Sequence, residues 1–496
     1  MADEHHVGAI DQGTTGTRFC VVDADGRIVG SAYERHEQYY PEPGWVEHDA
    51  AELWTRTERV IRDGLDDAGV AGDDLAAIGV TNQRETTVLW DRETGEPVER
   101  AIVWQDRRTA DRVEALEEAG HEEPIRETTG LQLDPYFSAT KLAYLLDERG
   151  HRAAAERGDL AFGTVDSWLL WNLTGVHATD VTNASRTMLF DVADCAWSDA
   201  MLELFDVPRA VLPTVEPSSH PSAYGTTDPD GPVGAAVPVA GVLGDQQAAL
   251  VGQGCVRPGM AKNTVGTGAF LLTHTGTVPA RSESGLLTTV AYQLAGEEPR
   301  YALEGSVFVA GAAIDWLESV GLVDDVAETE RLVEASAPSD DLWFVPAFSG
   351  LGAPHWDPGA RGTVLGIDRD VGRGDLVRAL VEGVAFRVGD VARAMEADAG
   401  TAVEEVRVDG GASVNDALCR LMADAVDAPV RRPRERETTA LGAAYAAGIA
   451  AGVWEDERAI ERNREEDAEF APDGADAIAG RYERWLEAVE RSGDWA

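Results

Sequence analysis

The chain has 496 residues, 44% of them apolar and 26% charged. At roughly 150 residues per domain this is material for two to four domains with substantial cores, and it excludes a disordered or membrane-embedded composition. Acids outnumber bases by 89 to 42, for a formal net charge of −47, which speaks against a nucleic-acid partner, because a phosphate backbone requires a basic face.

Short β-rich runs alternate with amphipathic helical patterns from end to end, as in α/β domains. The first 30 residues read as two apolar strands joined by a Gly/Thr turn, then a hairpin at Asp25-Gly26. Asp49 and Glu52 form a capping box ahead of Leu53, Thr57, Val60, Ile61 and Leu65, which share one helical face ending near Gly69. Strands are expected over 75–81, 86–91 and 101–104, and helices near 107–119 and 138–149. A strand over 237–243 then runs into Asp245 and a helix. The second half begins as the first does, with a Gly/Thr turn between apolar runs in AKNTVGTGAFLLTHTG. This restart predicts two domains of related build, residues 1–254 and 255–496. A strand over 301–304, a helix over 307–319, a strand over 343–348 and a helix over 375–397 follow. A strand over 403–408 ending in DGGAS and an Ala-rich helix after Thr438 complete the set.

Only Lys141 and Lys262 are lysines; every other basic residue is Arg. Over a surface of roughly 18,000 Å², the net charge amounts to about one per 380 Å². Acids spread along the whole chain predict adaptation to concentrated salt, where the Debye length falls to about 3 Å and self-repulsion is screened. Cys20, Cys195, Cys255 and Cys419 have no metal-ligand or redox spacing and are expected as reduced thiols. The start, MADEHHVGAID, has no apolar leader core, and the small-apolar run 440–453 is too short to span a bilayer. A cytoplasmic protein with a tightly packed helix in that run is the expectation.

A P-loop needs Gly-Lys-Ser/Thr, and neither lysine stands in that context; the protein-kinase motifs and a strand-adjacent GxGxxG are missing too. What remains is DQGTTGTR, residues 11–18. Gly13 and Gly16 let backbone N–H groups curl toward an anion, and Thr14 and Thr15 add hydroxyls. Asp11, at a strand end, offers the carboxylate oxygen that Mg²⁺ prefers. The turn at 264–268 repeats this chemistry in the other half, and DGGAS, 409–413, sets a glycine pair at a strand-to-helix junction. Taken singly, such turns are more often plain hairpins or junctions. Two of them facing across a cleft would clamp a triphosphate from both sides.

Further specific stretches are PGWVEHD (43–49), GVTNQRETTVLWD (79–91), AIVWQDRRTA (101–110), DPYFSATK (134–141) and TNASRTMLFD (182–191). GDQQAAL (244–250), MAKNTVGTGAF (260–270), GLGAPHWDP (350–358) and RVDGGAS (407–413) continue the series. On these stretches, almost end to end, the sequence resembles the FGGY family of carbohydrate kinases, and within it the members acting on glycerol. The resemblance implies an α/β, actin-like ATPase fold in which two ribonuclease-H-like domains flank a nucleotide and substrate cleft. It implies transfer of a phosphoryl group from ATP to glycerol, giving sn-glycerol 3-phosphate, with Mg²⁺, as the first step of glycerol catabolism. Arg84, Glu85, Tyr136, Asp245 and Gln246 match the family's glycerol-binding positions, and Trp104 and Phe270 match its aromatic walls. The set suits a three-hydroxyl substrate: Arg84 can donate to two hydroxyls, Glu85 can accept, and the rings pack against C–H faces.

The same resemblance makes Asp245 the catalytic base and, with Asp11, a neighbour of Mg²⁺. Thr14, Thr15, Gly16, Arg18 and Thr267 match phosphate-side positions, Arg18 also neutralising charge on the transferring group. Gly311, Asp315, Gly411 and Asn415 match positions around the adenosine and α-phosphate. A homodimer or homotetramer is implied as well. Departures are Gly16 and Thr17 in place of a Ser pair, Asp315 in place of Gln, and Tyr144 in place of Trp. Residues 224–237 lack the Gly-rich run with Arg by which some bacterial members bind a sugar bisphosphate inhibitor. The competing readings are a kinase for another small polyol or sugar, a non-kinase actin-like ATPase, and a silent binding protein. The non-kinase ATPase gives no reason for Asp245, Arg84 and Glu85 to coexist, and against a silent protein Asp11, Thr267 and Asp245 are all intact.

Overall fold

A computed structural model describes residues 5–493 and 495, without the side chains of 475–479; residues 1–4, read above for a leader, lie outside the described residues. The apolar runs flanking the first Gly/Thr turn form β1 (His6–Gln12) and β2 (Gly16–Val22), followed past the Asp25-Gly26 hairpin by β3 (Ile28–Arg35). With β4 (Leu75–Asn82) and β5 (Val239–Gly244) they make a five-stranded sheet ordered β5-β4-β1-β2-β3. The restart in the second half yields β6 (Met260–Val265), β7 (Ala269–Gly276), β8 (Leu287–Tyr292) and β9 (Arg300–Val307). Adding β10 (Glu405–Asp409), β11 (Val430–Pro433) and β12 (Glu466–Phe470) gives a seven-stranded sheet ordered β8-β9-β7-β6-β10-β11-β12.

The runs β3-β2-β1-β4-β5 and β9-β7-β6-β10-β11 have the same plan, two antiparallel pairings followed by two parallel ones. The ribonuclease-H-like unit therefore occurs twice, and the chain has the α/β, actin-like architecture expected.

Helix α1 (Ala50–Ala68) starts where Asp49 accepts from the N–H groups of Ala51 (3.0 Å) and Glu52 (3.2 Å) and stops at left-handed Gly69. Only half of the expected capping box forms, because Glu52 turns to Arg56 (3.1 and 2.8 Å), a charge-assisted pair one turn ahead. The further helices that matter here are α2 (Ser138–Asp147), α3 (Val165–Thr174), α4 (Asp245–Gly252) and α5 (Gly311–Ser319). They are followed by α6 (Arg373–Ala399), α7 (Asp416–Val426) and α8 (Thr438–Ala450). The helix expected from 307 begins only at Gly311, because β9 stays paired to β7 as far as Val307 opposite Ala269. The strands expected over 86–91 and 101–104 shorten to Val88–Asp91 and Ala101–Ile102.

One face of the first sheet carries α1 and α3. The other is covered by α8, which comes from the far end of the chain. A Cβ at Gly79 would stand 2.1 Å from the carbonyl oxygen of Ala443, and one at Gly241 2.5 Å from the amide of Ala447. Backbone lies directly on backbone there, which accounts for both glycines and for the Ala-rich helix. Val7, Leu243, Ala248, Leu272, Ala302 and Ala443 accordingly belong to one core shared by the two halves. Cys20, Cys255 and Cys419 are buried free thiols, and Cys195 is a half-buried one. Among the described residues no helix is long and apolar enough to cross a membrane.

Candidate active site

Strand β1 delivers Asp11 to the head of the first turn, residues 13–15, which is closed by the Gly13 N–H on the Gly16 carbonyl (2.9 Å). A polar network props the turn from behind. Gln38 Nε2 (2.8 Å) and His36 Nε2 (2.9 Å) reach the Thr14 carbonyl, while Gln38 Oε1 takes His48 Nε2 (2.8 Å) and His48 Nδ1 takes Gln83 Nε2 (3.2 Å). Burial pushes the His48 imidazole down to about 3, so a neutral ring in one tautomer serves both bonds. Trp104 Nε1 donates to Thr14 Oγ1 (3.0 Å), joining the turn to an aromatic wall, and Thr15 is exposed at the tip.

The two departures in this turn have a steric reason. A Cβ at Gly16 would lie 2.5 Å from the Tyr33 hydroxyl and 2.7 Å from the Glu34 carbonyl, so Tyr33 of β3 fills the space a serine would need. Thr17 points inward to Gln12 Oε1 (2.6 Å). Arg18, opposite Asp11 in the β1/β2 register, pairs with Glu437 just ahead of α8 and lies 5.4 Å from the Tyr33 ring centre. A phosphate would have to compete with Glu437 for Arg18.

Beyond β4 the chain reverses at Glu85, whose φ of 61° is a left-handed conformation that costs a non-glycine residue energy. Arg84 Nε and Glu85 Oε1 lie within ion-pair range at 3.8 Å, but each group has a closer partner. Arg84 Nη1 donates to Glu304 Oε2 (2.6 Å) and Gln247 Oε1 (3.2 Å), Nη2 donates to Glu304 Oε1 (3.0 Å), and Nε lies 3.1 Å from Asp245 Oδ1. These bonds leave Arg84 one Nη2 hydrogen for a substrate, so donation to two hydroxyls would require one of them to be exchanged. Glu85 Oε1 accepts from Arg186 Nε (2.7 Å), and Arg186 Nη2 reaches Glu304 Oε1 (3.1 Å). Two cations and two anions thus close a buried, charge-balanced ring. Burial pushes the Glu304 carboxyl up, but Arg186 and Arg84 outweigh it and hold the group down at about 2; at Glu85 burial wins and the shift is upward.

Asp245 is the first residue of α4. The cap is Gly244, and among the described residues the Asp245 carboxylate, 29% exposed, has its own neighbour's N–H (Gln246, 2.7 Å) and Arg84 as close partners. Burial and then the Asp245 carboxylate push Asp11 up to about 7, against the pull of Arg18. Two carboxylates at strand ends of the same sheet, Asp11 on β1 and Asp245 just past β5, therefore repel one another. Gln246 Oε1 is gripped by Lys262 Nζ, which also donates to Thr264 Oγ1 (3.0 Å). Tyr136 stands edge-on to Trp104 with ring centres 5.5 Å apart, and Phe270 of β7 is half-buried opposite Thr264.

The second turn, residues 266–268, is sewn to the start of α5. Gly266 N–H donates to Gly268 O (2.9 Å), Gly311 N–H to Gly266 O (2.9 Å), and the Ala310 and Ala312 N–H groups to Thr267 O (2.9 and 3.1 Å). Residue Thr267 is exposed. The third turn rests on the second, since a Cβ at Gly410 would meet the Val265 carbonyl at 2.6 Å. Asp409 Oδ2 accepts from Gln253 Nε2 and Thr438 Oγ1, both 2.8 Å, and so ties this turn to α4 and α8. Asn415 caps α7 through the Leu418 N–H (3.0 Å) and donates to Thr329 Oγ1 (2.8 Å). Gly411 and Asp315 are exposed and take no part in these bonds.

Two family models match the chain in succession: the N-terminal domain of the FGGY family of carbohydrate kinases over residues 6–252, and its C-terminal domain over residues 261–451. The chain belongs to the FGGY family. The glycerol kinase of Haloferax volcanii is 56% identical to it, covering 100% of this chain and 99% of that one. The glycerol kinase of Halobacterium salinarum is 54% identical, with 99% of each chain covered. Among solved structures, Plasmodium falciparum glycerol kinase with ADP matches with a TM-score of 0.93 at 34% identity, covering 99% of this chain and 98% of that one.

In this FGGY kinase the structure gathers Thr14, Arg84, Glu85, Trp104, Tyr136, Asp245 and Gln246 into one neighbourhood of bonds and ring contacts, with Asp11 near enough to be repelled by Asp245. Arg186, Glu304, Gln247 and Lys262 belong to the same neighbourhood and were not singled out from the sequence. A signal for two of them exists. Lys262 and Glu304 stand in runs expected as strands, AKNTV and YALE, and an isolated charge in such a run needs a partner.

Proposed function

We propose that this chain transfers the γ-phosphoryl group of ATP to a terminal hydroxyl of glycerol, giving sn-glycerol 3-phosphate. The observation that carries the reading is the contact of Arg84 with Asp245 beside Glu85, Trp104 and Tyr136, at the foot of the first Gly/Thr turn. Identity above 50% to glycerol kinases over the whole length supports the same substrate.

In this reading Asp245 orients the hydroxyl and accepts its proton as the oxygen attacks phosphorus in line. A weak base suffices, because the transition state is loose and the proton leaves late. Arg84 and Glu85 bind hydroxyls, Gln246 supplies an amide, and Trp104, Tyr136 and Phe270 wall the C–H side. Thr14, Thr15, Gly16 and Thr267 line the phosphates, and Arg18, released from Glu437, meets charge on the transferring oxygens. Gly311, Gly411 and Asn415 hold the nucleotide, with Asp315 at its margin. Asp11 and Asp245 suit a hard divalent cation, since their mutual repulsion is what a cation between them would relieve. Mg²⁺ held there would neutralise β- and γ-phosphate charge. Among the described residues no cluster of three or more His, Cys, Asp or Glu is placed to hold a metal ion, so a cation here would rest on this pair and the phosphates.

The division into units 1–254 and 255–496, a cytoplasmic location, a homodimer or homotetramer, and adaptation to concentrated salt complete the proposal. The deciding experiment measures ADP release in molar KCl with Mg-ATP and glycerol, xylulose, gluconate, ribulose or no acceptor, for the natural protein and Asp245→Asn. Glycerol-dependent turnover that the substitution abolishes is expected. Turnover on another acceptor would move the assignment to a sibling kinase, and turnover without acceptor would make the protein an ATPase.

A further inference from the structure

The polyol pocket leaves two residues unexplained. Lys141 and Lys262 are the only lysines among 42 basic residues, and both are fully buried. Arg can replace Lys wherever a solvated cation is all that is needed. It cannot where several acceptors converge on one atom, because an ammonium carries three donors on a single nitrogen while a guanidinium spreads five in a plane.

Lys141 uses all three donors. From α2 its Nζ reaches back to the carbonyl oxygens of Pro135 (2.6 Å), Tyr136 (2.5 Å) and Phe137 (3.1 Å), three consecutive peptide groups of the segment entering that helix. On the other side of the same segment, the Tyr136 N–H donates to Asp134 Oδ1 (2.7 Å). The backbone under Tyr136 is thereby held from both sides, and its ring stands between Trp104 and Phe137, with centres 5.5 and 5.0 Å away. Lys262, on β6 in the other half of the molecule, holds the side-chain oxygen of Gln246 and Thr264 Oγ1. Holding that oxygen turns the amide so that its nitrogen is the end left to donate to a substrate, so Lys262 selects one of two amide orientations.

We propose that Lys141 and Lys262 are positioning residues of the polyol pocket, Lys141 fixing the backbone beneath Tyr136 and Lys262 fixing the amide of Gln246 as a donor. The inference rests on the reading of Tyr136 and Gln246 as substrate residues. It also explains why these two positions stay Lys in a chain whose basic residues are otherwise Arg.

Two double-mutant cycles test it, Lys141→Met with Tyr136→Ala and Lys262→Met with Gln246→Ala, in the full chain at molar KCl. KM for glycerol, KM for ATP, kcat and thermal unfolding are read for every variant. Each single lysine substitution is expected to raise KM for glycerol roughly tenfold or more, with KM for ATP changed by less than about twofold. In the background lacking its partner, each is expected to add nothing further. Lys141→Arg should restore the charge but not the glycerol KM. Equal effects in both backgrounds, or full rescue by Arg, would overturn the proposal. Should Lys141→Met fail to fold, Lys141→Arg and the Lys262 cycle decide. If Tyr136→Ala and Gln246→Ala themselves leave KM for glycerol unchanged, the pocket assignment falls and the proposal with it; impaired single variants with additive cycles sink the proposal alone.

Discussion

The hairpins β1–β2 and β6–β7 are one device built twice and furnished differently. Each has a three-residue turn closed by a glycine N–H, and each inner strand pairs on its far side with a parallel strand. At matching positions the first hairpin sets Asp11 between Arg18 and Thr81, whereas the second sets Thr264 between Phe270 and Asp409. The fold repeats the backbone donors that a phosphate needs, while the side chains divide the work. Charge sits at the first turn, and the second offers a hydroxyl and a ring. In the second half, charge withdraws into the sheet as Lys262 and Glu304, where it organises residues of the first half.

The comparison breaks most visibly at its charged end. Asp11→Asn is expected to lower kcat by roughly 10²- to 10³-fold, while Thr264→Ala, at the equivalent position, costs less than about tenfold; equal losses in steady-state assays would mean the hairpins are not specialised. Next in size, Glu304→Gln removes the acid that balances Arg84 and Arg186 and should destabilise the fold by about 3–5 kcal/mol, read by denaturant unfolding in molar KCl. Since Glu304 sits near 2 when folded against its usual 4.5, its stabilisation is complete above that usual value. It disappears as pH falls toward 2, so the variant should lose the corresponding part of the acid-unfolding slope.

Gly16→Ser should cost about 1–3 kcal/mol through overpacking against Tyr33 and the Glu34 carbonyl, and Tyr33→Ala should recover only the part owed to the ring, since the carbonyl stays in place; a Gly16→Ser protein that unfolds like the natural one would remove the steric account of this turn. Smallest is Glu437→Gln. Freed from a partly exposed ion pair worth about 1 kcal/mol at most, Arg18 should bind phosphate more readily and lower KM for ATP by up to about fivefold. An unchanged KM would detach Arg18 from the nucleotide.

The strand-turn-strand restart at residue 260, the capping Asp49, the left-handed stop at Gly69 and the compact helix after Thr438 were all legible in the chain, because each follows from local periodicity and turn chemistry. So were the three glycine-bearing turns and the Asp245 carboxylate just past a strand end, as structural positions. Other features were not. The closest partners of the neighbours Arg84 and Glu85 lie far along the chain: Arg84 binds Glu304, 220 positions later, and Glu85 binds Arg186. The helix expected from 307 starts later because pairing of β9 with β7 overrides an apolar run that suits either conformation.

What the sequence by itself determined is therefore the repeated α/β unit, its turns and the chemical types present at the strand ends, since those depend on neighbours within a few residues. Only the tertiary structure decided which charges meet, that Tyr33 takes the space of a side chain at position 16, and that a helix from residue 438 closes the first sheet. Those outcomes depend on groups far apart in the chain arriving in one low-dielectric interior, where each buried charge must find a partner and no local pattern names it.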